Sequence, residues 1–512
     1  MSNLLAERPV TPGRVLARRF GHGIGPLAAC LGLLGWFVNF VGSWIPSFWG
    51  DEAASIMSAE RPLATLWGEL GRIDAVHGAY YVFLHFWINL FGASELSVRF
   101  PSTVAVGVAV AGIVVLGDRL RGRRVAVLAG LVCVVLPRIS YMSAEGRSYA
   151  IGTAIAVWLT IFFFTLLGRR VTRLLPWLAY GLALAVSIYV FFYFVLIAGV
   201  HGLALLASPA RRALLRRWFA ALGVTVFVAA PILTYGLAQH GQITFLAHRG
   251  YATFDRIVIV QWFGNPWLAT AGWALIVVGV VALLRSRSEH RVLLIGWLLL
   301  PTVALLIGNT FVAPMYTVRY LSFCAPVAAL FVAVGIDAIA RRLTAVRSLE
   351  AVAPVLRTAI PAALVMLVAA LAAHTDLQQR TPFAKDGGSD LCQVSEVVAA
   401  NAHPGDAIVF DETTRPSRAP RLGLHLYPKA YVGLADVTLA APYTQLPALW
   451  DKAATVGRSS GALASKNTVW DLELKAHGTP ANIVELQRLG FTVIREIPVH
   501  RTVVYELTRE TP

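Results

Sequence analysis

The sequence is poor in charge, in cysteine and, over most of its length, in lysine. Only 14% of the 512 residues are charged, against roughly 25% in an ordinary soluble domain. The four cysteines show neither a CxxC motif nor metal-ligand spacing, so no disulfide framework and no cysteine-rich metal site is indicated. Because 57% of the residues are hydrophobic and long apolar runs recur, the composition predicts a protein that crosses a membrane several times.

Lysine is absent from residues 1–373, which hold 30 arginines and 13 acidic residues, whereas residues 374–512 hold 14 basic and 15 acidic residues. The net charge of +16 could suggest a nucleic-acid partner, but the arginines cluster in short connections between apolar runs. That pattern is typical of the cytoplasmic loops of membrane proteins. It favours a lipid bilayer, and not a nucleic acid, as the partner.

The apolar runs predict about 11 transmembrane helices. Six arginine-rich segments, the N-terminus among them, become cytoplasmic if helices pass in pairs between them, which places the N-terminus inside and the C-terminus outside. The first run is longer than the apolar part of a signal peptide and lacks a small-residue cleavage site, so we interpret it as an uncleaved span. The predicted spans are 24–46, 98–117, 125–140, 150–167, 174–189, 191–207, 218–237, 266–284, 292–310, 321–340 and 355–373.

One apolar segment, Gly78–Phe91, is about 14 residues long, too short for a span that needs roughly 20. Counting it as a span would also invert the position of every later arginine cluster. We therefore predict an amphipathic helix in the outer interface, and residues 62–70 predict a second one. Both belong to an external loop, 47–97.

The C-terminal part changes character, because lysine appears and no apolar run is long enough to span. Short strand-like and helix-like segments alternate there, which predicts a small extracytoplasmic α/β domain. The expected division is a transmembrane domain over 1–373, a linker over 374–390 and the α/β domain over 391–512. The predicted fold class is thus mainly α, with a polytopic membrane part.

Two adjacent carboxylates, Asp51 and Glu52, follow the first span in the stretch Phe48-Trp49-Gly50-Asp51-Glu52. Charge at the edge of the bilayer beside aromatic residues is tolerated and is often functional. We predict a catalytic role for this pair, with Asp51 as general base. The alternative is a solvated helix cap.

Further polar groups fall near helix ends on the same predicted outer face, and we treat them as candidate substrate-binding residues. Several also have a purely structural interpretation. Glu145 and Arg147 would then be charged residues that end a span, Arg319 an arginine whose head group reaches the interface, and His77 a histidine packed in the interfacial helix. Loose carboxylate and histidine spacing leaves a divalent metal possible but not indicated, and we predict no metal ligands. The candidates are Asp74, His77, Tyr80, Tyr81, Glu145, Arg147, Tyr149, Tyr189, Tyr193, His248, Arg249, Arg319 and Tyr320.

Carboxylate, arginine and tyrosine together suit the transfer of a sugar from a lipid phosphate to a hydroxyl group. The acceptor hydroxyl needs a base, which an ionised carboxylate provides. The leaving group is a phosphate, whose charge needs arginine more than it needs a proton. Arg147 or Arg319 would bind that phosphate.

Four motifs carry a resemblance to a known family: Trp49-Gly50-Asp51-Glu52, Asp74-Ala-Val-His77-Gly-Ala-Tyr80-Tyr81, Arg99-Phe-Pro101-Ser102 and Ser143-Ala-Glu145-Gly-Arg147-Ser-Tyr149. Over about residues 24–340 the chain resembles bacterial GT-C glycosyltransferases of the dolichyl-phosphate-mannose protein mannosyltransferase type. That group includes the aminoarabinose transferases of lipid A. The resemblance implies a polyprenyl-phosphate sugar donor, catalysis outside the cytoplasm, and an acidic base in the first external loop, which falls on Asp51.

The sequence departs from the family pattern at three places. Gly78 and Ala79 stand where many relatives have two prolines, Ala144 and Gly146 flank Glu145 where relatives have Gln and Ala, and Tyr189 stands where a histidine is common. We predict an enzyme of the cytoplasmic membrane that moves mannose or a pentose to an envelope glycan, lipid or protein. The alternatives are a transporter or flippase, which would need ionisable residues in mid-span, a non-catalytic envelope scaffold, and an O-antigen-type polymerase or ligase.

Overall fold

The computed structural model describes residues 23–286, 288–346 and 351–509, without the side chains of Phe245, Ala247 and His248. The N-terminal arginines, Arg287 and Arg347 therefore lie outside the described residues, and so does the side chain of the candidate His248.

Long apolar helices form the frame of the molecule. Within the described ranges, seven helices are long and apolar enough to cross a membrane, one bent pair adds an eighth, and three shorter apolar helices accompany them. These helices confirm a mainly α, polytopic membrane protein, and the predicted number of about 11 spans is reached only if the three shorter helices are counted as well. The frame helices are α1 (Ile24–Phe40), α5 (Glu95–Arg121), α6 (Arg123–Val135), α7 (Pro137–Ser143), α8 (Tyr149–Gly168), α9 (Leu174–Val190), α10 (Val195–Leu206), α11 (Arg211–Ala238), α12 (Pro266–Arg285), α13 (Arg291–Phe311), α14 (Ala325–Leu343) and α15 (Ala353–Gln378).

The segment predicted as one span over 125–140 is instead two helices, α6 and α7, that meet at an angle of 59°. The chain is extended at Leu136 (φ −72°, ψ 127°), because the residue before a proline avoids helical backbone angles. Pro137 then takes the first position of α7, where its missing N–H is not needed. The bend brings Arg138 and Tyr141 to the candidate site described below.

Three short helices fill the loop 47–97: α2 (Gly50–Glu60), α3 (Leu63–Leu70) and α4 (Gly78–Phe91). The bounds of α4 are those predicted from the sequence, and α3 corresponds to the second predicted helix. The helix α2 was not predicted. The buried side of α4 is a stripe at helical spacing, Tyr81, Leu84 and Ile88, and such a stripe is what an amphipathic helix presents to a core.

A small mixed sheet forms the C-terminal part, as predicted. Its strands run in the order β2-β1-β5-β7-β6, with β2, β1 and β5 parallel and β5, β7 and β6 antiparallel. The strands are β1 (Ala407–Phe410), β2 (Ala435–Asp436), β3 (Leu439–Ala441), β4 (Lys452–Ala453), β5 (Thr468–Leu474), β6 (Phe491–Pro498) and β7 (Thr502–Arg509), and the helices are α16 (Leu391–Asn401), α17 (Leu422–Leu426), α18 (Ser460–Leu463) and α19 (Ala481–Arg488).

The α/β domain and the loop 47–97 share one hydrophobic core. Phe48, Ile56 and Tyr81 of the loop belong to the same buried cluster as Leu422 and Tyr443 of the domain. At its edge, the Tyr427 hydroxyl accepts a hydrogen bond from the backbone N–H of Phe48 at 3.0 Å and donates one to Glu95 at 2.6 Å. The domain is therefore packed firmly against the end of the frame that carries Asp51.

The opposite end of the frame gathers the arginine-rich connections. Arg124 pairs with Asp337 at 3.2 Å and donates to the backbone carbonyl of Arg357 at 2.6 Å. Arg121 donates to the Ser286 hydroxyl at 2.9 Å. Connections far apart in the sequence thus meet at one end, and the shared core lies at the other.

Candidate active site

A cavity of about 1030 Å³ opens between the ends of the spans, the loop 47–97 and the α/β domain. Eight of the predicted site residues line it: Asp51, Asp74, His77, Arg147, Tyr149, Arg249, Arg319 and Tyr320. The sequence predicts most of them near helix ends and Arg249 in a loop, and the fold brings all eight to one space. Six others do not line it: Glu52, Tyr80, Tyr81, Glu145, Tyr189 and Tyr193.

Asp51 sits in the first turn of α2, where the positive end of the helix dipole favours a carboxylate. Its Oδ2 accepts a hydrogen bond from Arg319, and its side chain is still 26% exposed to the cavity. The Arg319 guanidinium also lies 4.9 Å from the ring centroid of Trp49, a cation–π contact. One oxygen of the carboxylate is thus engaged and the group remains open to a substrate.

Burial alone would raise the pKa of Asp51, but the guanidinium groups of Arg319 and Arg147 outweigh burial and hold that pKa below its ordinary value. Asp51 is therefore ionised at neutral pH, as a general base must be.

Arg147 connects Asp51 to the second motif. Its Nη1 donates to the backbone carbonyl of Asp51 at 3.2 Å and to the Ser55 hydroxyl at 3.1 Å. Its Nη2 lies 3.0 Å from the Nε2 of His77. Burial, with Arg147 adding to it, lowers the pKa of His77 well below its ordinary value, so the imidazole is neutral and accepts this hydrogen bond.

Tyr81 does not face the cavity but supports two groups that do. Its hydroxyl donates to Asp74 Oδ2 at 2.9 Å and accepts from Arg147 Nη1 at 3.3 Å. Asp74 itself has a left-handed backbone (φ 57°), and its N–H donates to the Gln242 side chain at 3.0 Å. Burial raises the pKa of Asp74, which makes it a poorer candidate than Asp51 for an ionised base.

Glu52 faces away from the cavity and is fully buried. Arg99 donates to its two oxygens at 2.8 and 2.7 Å, and the N–H of Gly146 donates at 2.8 Å. Arg99 also holds the backbone carbonyls of Ser43 and Pro46. Glu52 was predicted as catalytic with Asp51, and its enclosure by donors points instead to a positioning role for the turn that carries Asp51.

The other predicted site residues that do not line the cavity contact neighbouring groups inside the protein. Tyr189 donates to the Val228 carbonyl at 2.9 Å, and Tyr193 stacks on Tyr320 with 4.9 Å between ring centroids. Tyr80 is buried among apolar residues. Glu145 is fully buried, and burial, opposed in part by Lys385, raises the pKa of its carboxyl.

The structure adds cavity residues that were not among the predicted site residues. From the frame come Arg138, Tyr141, Gln242, Arg256 and Gln379, and from the α/β domain come Arg415, Ser417, Arg418, Leu449 and Trp450. Nothing in the one-dimensional pattern assigned the α/β residues to this site.

Within the described ranges no three histidine, cysteine, aspartate or glutamate side chains are arranged to hold a metal ion. Glu52, Asp74 and His77 are the candidate residues whose side chains could in principle ligate a metal ion. Glu52 is already saturated by Arg99 and Gly146, and His77 already accepts from Arg147.

Comparisons with known proteins agree with this architecture. Residues 79–235 match the family model of dolichyl-phosphate-mannose-protein mannosyltransferases. The structure resembles ArnT from Cupriavidus metallidurans in its apo state, with a TM-score of 0.57 and 12% sequence identity over 94% of this chain and 97% of that one.

The chain has the GT-C fold. A second structure of the same ArnT, bound to undecaprenyl phosphate, gives a TM-score of 0.57 with 14% identity over the same shares of the two chains. No curated protein sequence matches the chain. The family model confirms the resemblance over residues 79–235, and the likeness to the ArnT fold extends over both the membrane frame and the C-terminal domain.

Proposed function

We propose that this protein is an integral membrane glycosyltransferase that moves a sugar, mannose or a pentose, from a polyprenyl phosphate to an acceptor of the cell envelope. The observation that carries the proposal is the Asp51–Arg319 pair at the wall of a cavity between membrane spans. An ionised base and a fixed cation side by side are what a displacement at a sugar phosphate needs. The ArnT structure with undecaprenyl phosphate supports the class of donor.

The proposed step is a single displacement. The acceptor oxygen bonds to the anomeric carbon while its proton passes to the Asp51 carboxylate. The bond between the anomeric carbon and the phosphate oxygen breaks, and its electron pair stays on the phosphate, which Arg319 and Arg147 stabilise. A single displacement inverts the configuration at the anomeric carbon.

Arg319 would have two roles in this scheme. It neutralises Asp51 through their hydrogen-bonded ion pair, and a phosphate beside it would compete for the same guanidinium. Donor binding would then weaken the ion pair, and weakening it makes Asp51 a stronger base. The base would be activated only when the leaving group is in place.

The site end would face the outside of the cytoplasmic membrane. The arginine-rich connections meet at the other end of the frame, and arginine-rich loops remain in the cytoplasm. This arrangement supports an extracytoplasmic position for the cavity, the loop 47–97 and the α/β domain.

The test is sugar transfer by the purified protein in lipid nanodiscs. The donors are radiolabelled polyprenyl-phosphate-mannose and polyprenyl-phosphate-arabinose, and the acceptor is an envelope extract. We expect Asp51→Asn to lose about 10²- to 10⁴-fold in rate, because general-base catalysis contributes that much. Glu60→Gln is the matched control, since Glu60 lies on the same helix but does not line the cavity.

Equal transfer by wild type and Asp51→Asn would remove Asp51 from the mechanism. Transfer by wild type from neither donor would contradict the proposed donor class, and transport or scaffold functions would then be tested.

A further inference from the structure

The cavity has a second wall that does not come from the membrane frame. Arg415, Arg418 and Trp450 of the α/β domain line it together with Asp386 of the linker. The proposed chemistry at Asp51 and Arg319 makes no use of these residues. These four residues are polar or aromatic. The α/β domain also contributes one aliphatic side chain, Leu449, to the lining of the cavity.

This second wall is held tightly against the helix that carries Asp51. A Cβ atom at Gly50 would lie 2.0 Å from the backbone oxygen of Ser417, so glycine at position 50 lets the turn Pro416–Arg418 touch the start of α2. Arg61, also on this side, donates to the backbone carbonyls of Leu446 at 3.0 Å and of Ala448. The segment leading to Trp450 is thereby fixed from the frame side.

The polar groups of the wall are positioned as well. Arg418 donates from Nε to Asp386 Oδ2 at 3.0 Å and from Nη2 to the Asp386 carbonyl at 2.7 Å. Arg415 is exposed and lines the same cavity. The half-buried Trp450 packs at the edge of the core shared with the loop 47–97. One aromatic ring is thus accompanied by two guanidinium groups and a carboxylate.

We propose that this wall is the acceptor subsite and that the acceptor unit it binds is a saccharide. The donor carries a polyprenyl chain that stays among the spans, so its sugar phosphate reaches Asp51 from the frame side. The wall built by the α/β domain is therefore available to the acceptor. This inference rests on the proposed glycosyl transfer and names the chemical class of its acceptor.

The residue types favour a sugar over a lipid tail or an apolar peptide. The face of an indole packs against the C–H groups of a sugar ring, and the guanidinium and carboxylate groups hydrogen-bond its hydroxyls. A cavity that combines one aromatic surface with a few fixed polar groups selects by orientation. An acyl chain in the same place would remove water from the charged Arg418–Asp386 pair and offer it no hydrogen bond in return, which costs free energy.

The test measures binding to the full-length protein in nanodiscs, without catalysis. The probes are a panel of short manno- and arabino-oligosaccharides, neutral and carrying a terminal phosphate, an uncharged hexapeptide and a short-chain phospholipid. A separate titration with undecaprenyl phosphate reports on the donor side. The variants are Trp450→Ala and Arg415→Ala, and the control is Arg488→Ala, in the same domain but outside the cavity.

We expect at least one oligosaccharide to bind wild type and the control equally. Trp450→Ala should weaken that binding by about tenfold, the size of one good aromatic contact, with undecaprenyl phosphate binding unchanged. Arg415, being exposed, allows the same test if Trp450→Ala does not fold, with a smaller loss expected.

Binding of the peptide or the phospholipid in place of every oligosaccharide would overturn the saccharide assignment, as would oligosaccharide binding that neither variant weakens. Absence of binding by the whole oligosaccharide panel would overturn it too. Failure of undecaprenyl phosphate to bind wild type would count against the proposed function instead, so the two failures are distinguishable.

Discussion

Arginine has opposite environments at the two ends of this molecule. At the site end, Arg61 and Arg99 are fully buried and Arg147 is 7% exposed, and each donates to named partners. At the other end, the side chain of Arg341 is 64% exposed and that of Arg124 is 32% exposed. Burying a guanidinium is costly unless it is paired and hydrogen-bonded. The buried arginines near Asp51 therefore position the site, whereas the exposed ones at the opposite end make few contacts that the site depends on.

The largest effect expected from this difference is on stability at Arg99. Replacing it as Arg99→Leu leaves the Glu52 carboxylate buried without its ion pair, which costs about 3–5 kcal/mol. Thermal unfolding of the purified protein should show the loss. The double variant Glu52→Leu with Arg99→Leu should be less destabilised than Arg99→Leu alone, because no charge is then left unpaired. A double variant as unstable as the single one would show that packing, and not charge, dominates.

A large effect on rate is expected at Arg319. The variant Arg319→Gln should reduce the rate of sugar transfer by about 10²- to 10³-fold. This is the usual effect of removing one preorganised hydrogen-bond donor that stabilises the charge formed in the transition state. Arg319→Lys should recover part of the rate, since it restores the charge without the fork of donors. Initial rates at saturating donor measure both. Equal rates for wild type and Arg319→Gln would assign the phosphate to Arg147 or to another cavity arginine.

The same variant should shift the pH dependence. Asp51 acts as a base when ionised, so the rate is present above its pKa and is lost as the pH falls through it. Because that pKa is below its ordinary value of 3.8, wild-type kcat/KM should stay level through the neutral and mildly acidic range and fall only below that ordinary value. When Arg319 is removed, its lowering effect on the pKa of Asp51 is lost and the raising effect of burial remains. The pKa of Asp51 therefore rises, and the loss of rate at acidic pH begins at a higher pH. A wild-type limb centred near pH 6.5 would implicate a histidine.

The smallest effect is expected at the exposed end. Arg341→Gln removes the ion pair between the exposed Arg341 and the buried Asp337 one helical turn away, but Asp337 keeps its pair with Arg124. Pairs made by an exposed arginine contribute roughly 0–1 kcal/mol. Unfolding temperature and sugar transfer should both stay close to wild type. A loss comparable with that of Arg99→Leu would erase the distinction between the two ends.

The frame and the α/β domain were predictable because length, apolar runs and arginine clusters are local signals. The helix α4 was predicted with the bounds it has, since an apolar stripe bounded by glycines is visible in the sequence. The helix α2 was not, because its small residues, such as Ala53 and Ala59, show no amphipathic pattern. They are buried by their neighbours on all sides.

The candidate site was only partly predictable, for a different reason. Eight proposed residues meet at the cavity because loops at one end of a bundle converge there. The pairing of Glu52 with Arg99 and the wall from Arg415 to Trp450 depend on tertiary contacts that no local pattern encodes. Glu52 and Asp51 are neighbours in the sequence, but successive helical residues point in different directions.

The core shared by the loop 47–97 and the α/β domain has a consequence for biosynthesis. The partners Phe48 and Tyr427 are separated by 379 positions, which a ribosome translates in roughly 20 to 75 seconds at about 5–20 residues per second. During that interval the segment carrying Asp51 lacks the surface that covers it. The candidate site is complete only when the last domain has been synthesised and has packed against the loop, so a chain truncated before Leu422 would keep its membrane frame and yet lack one wall of the cavity.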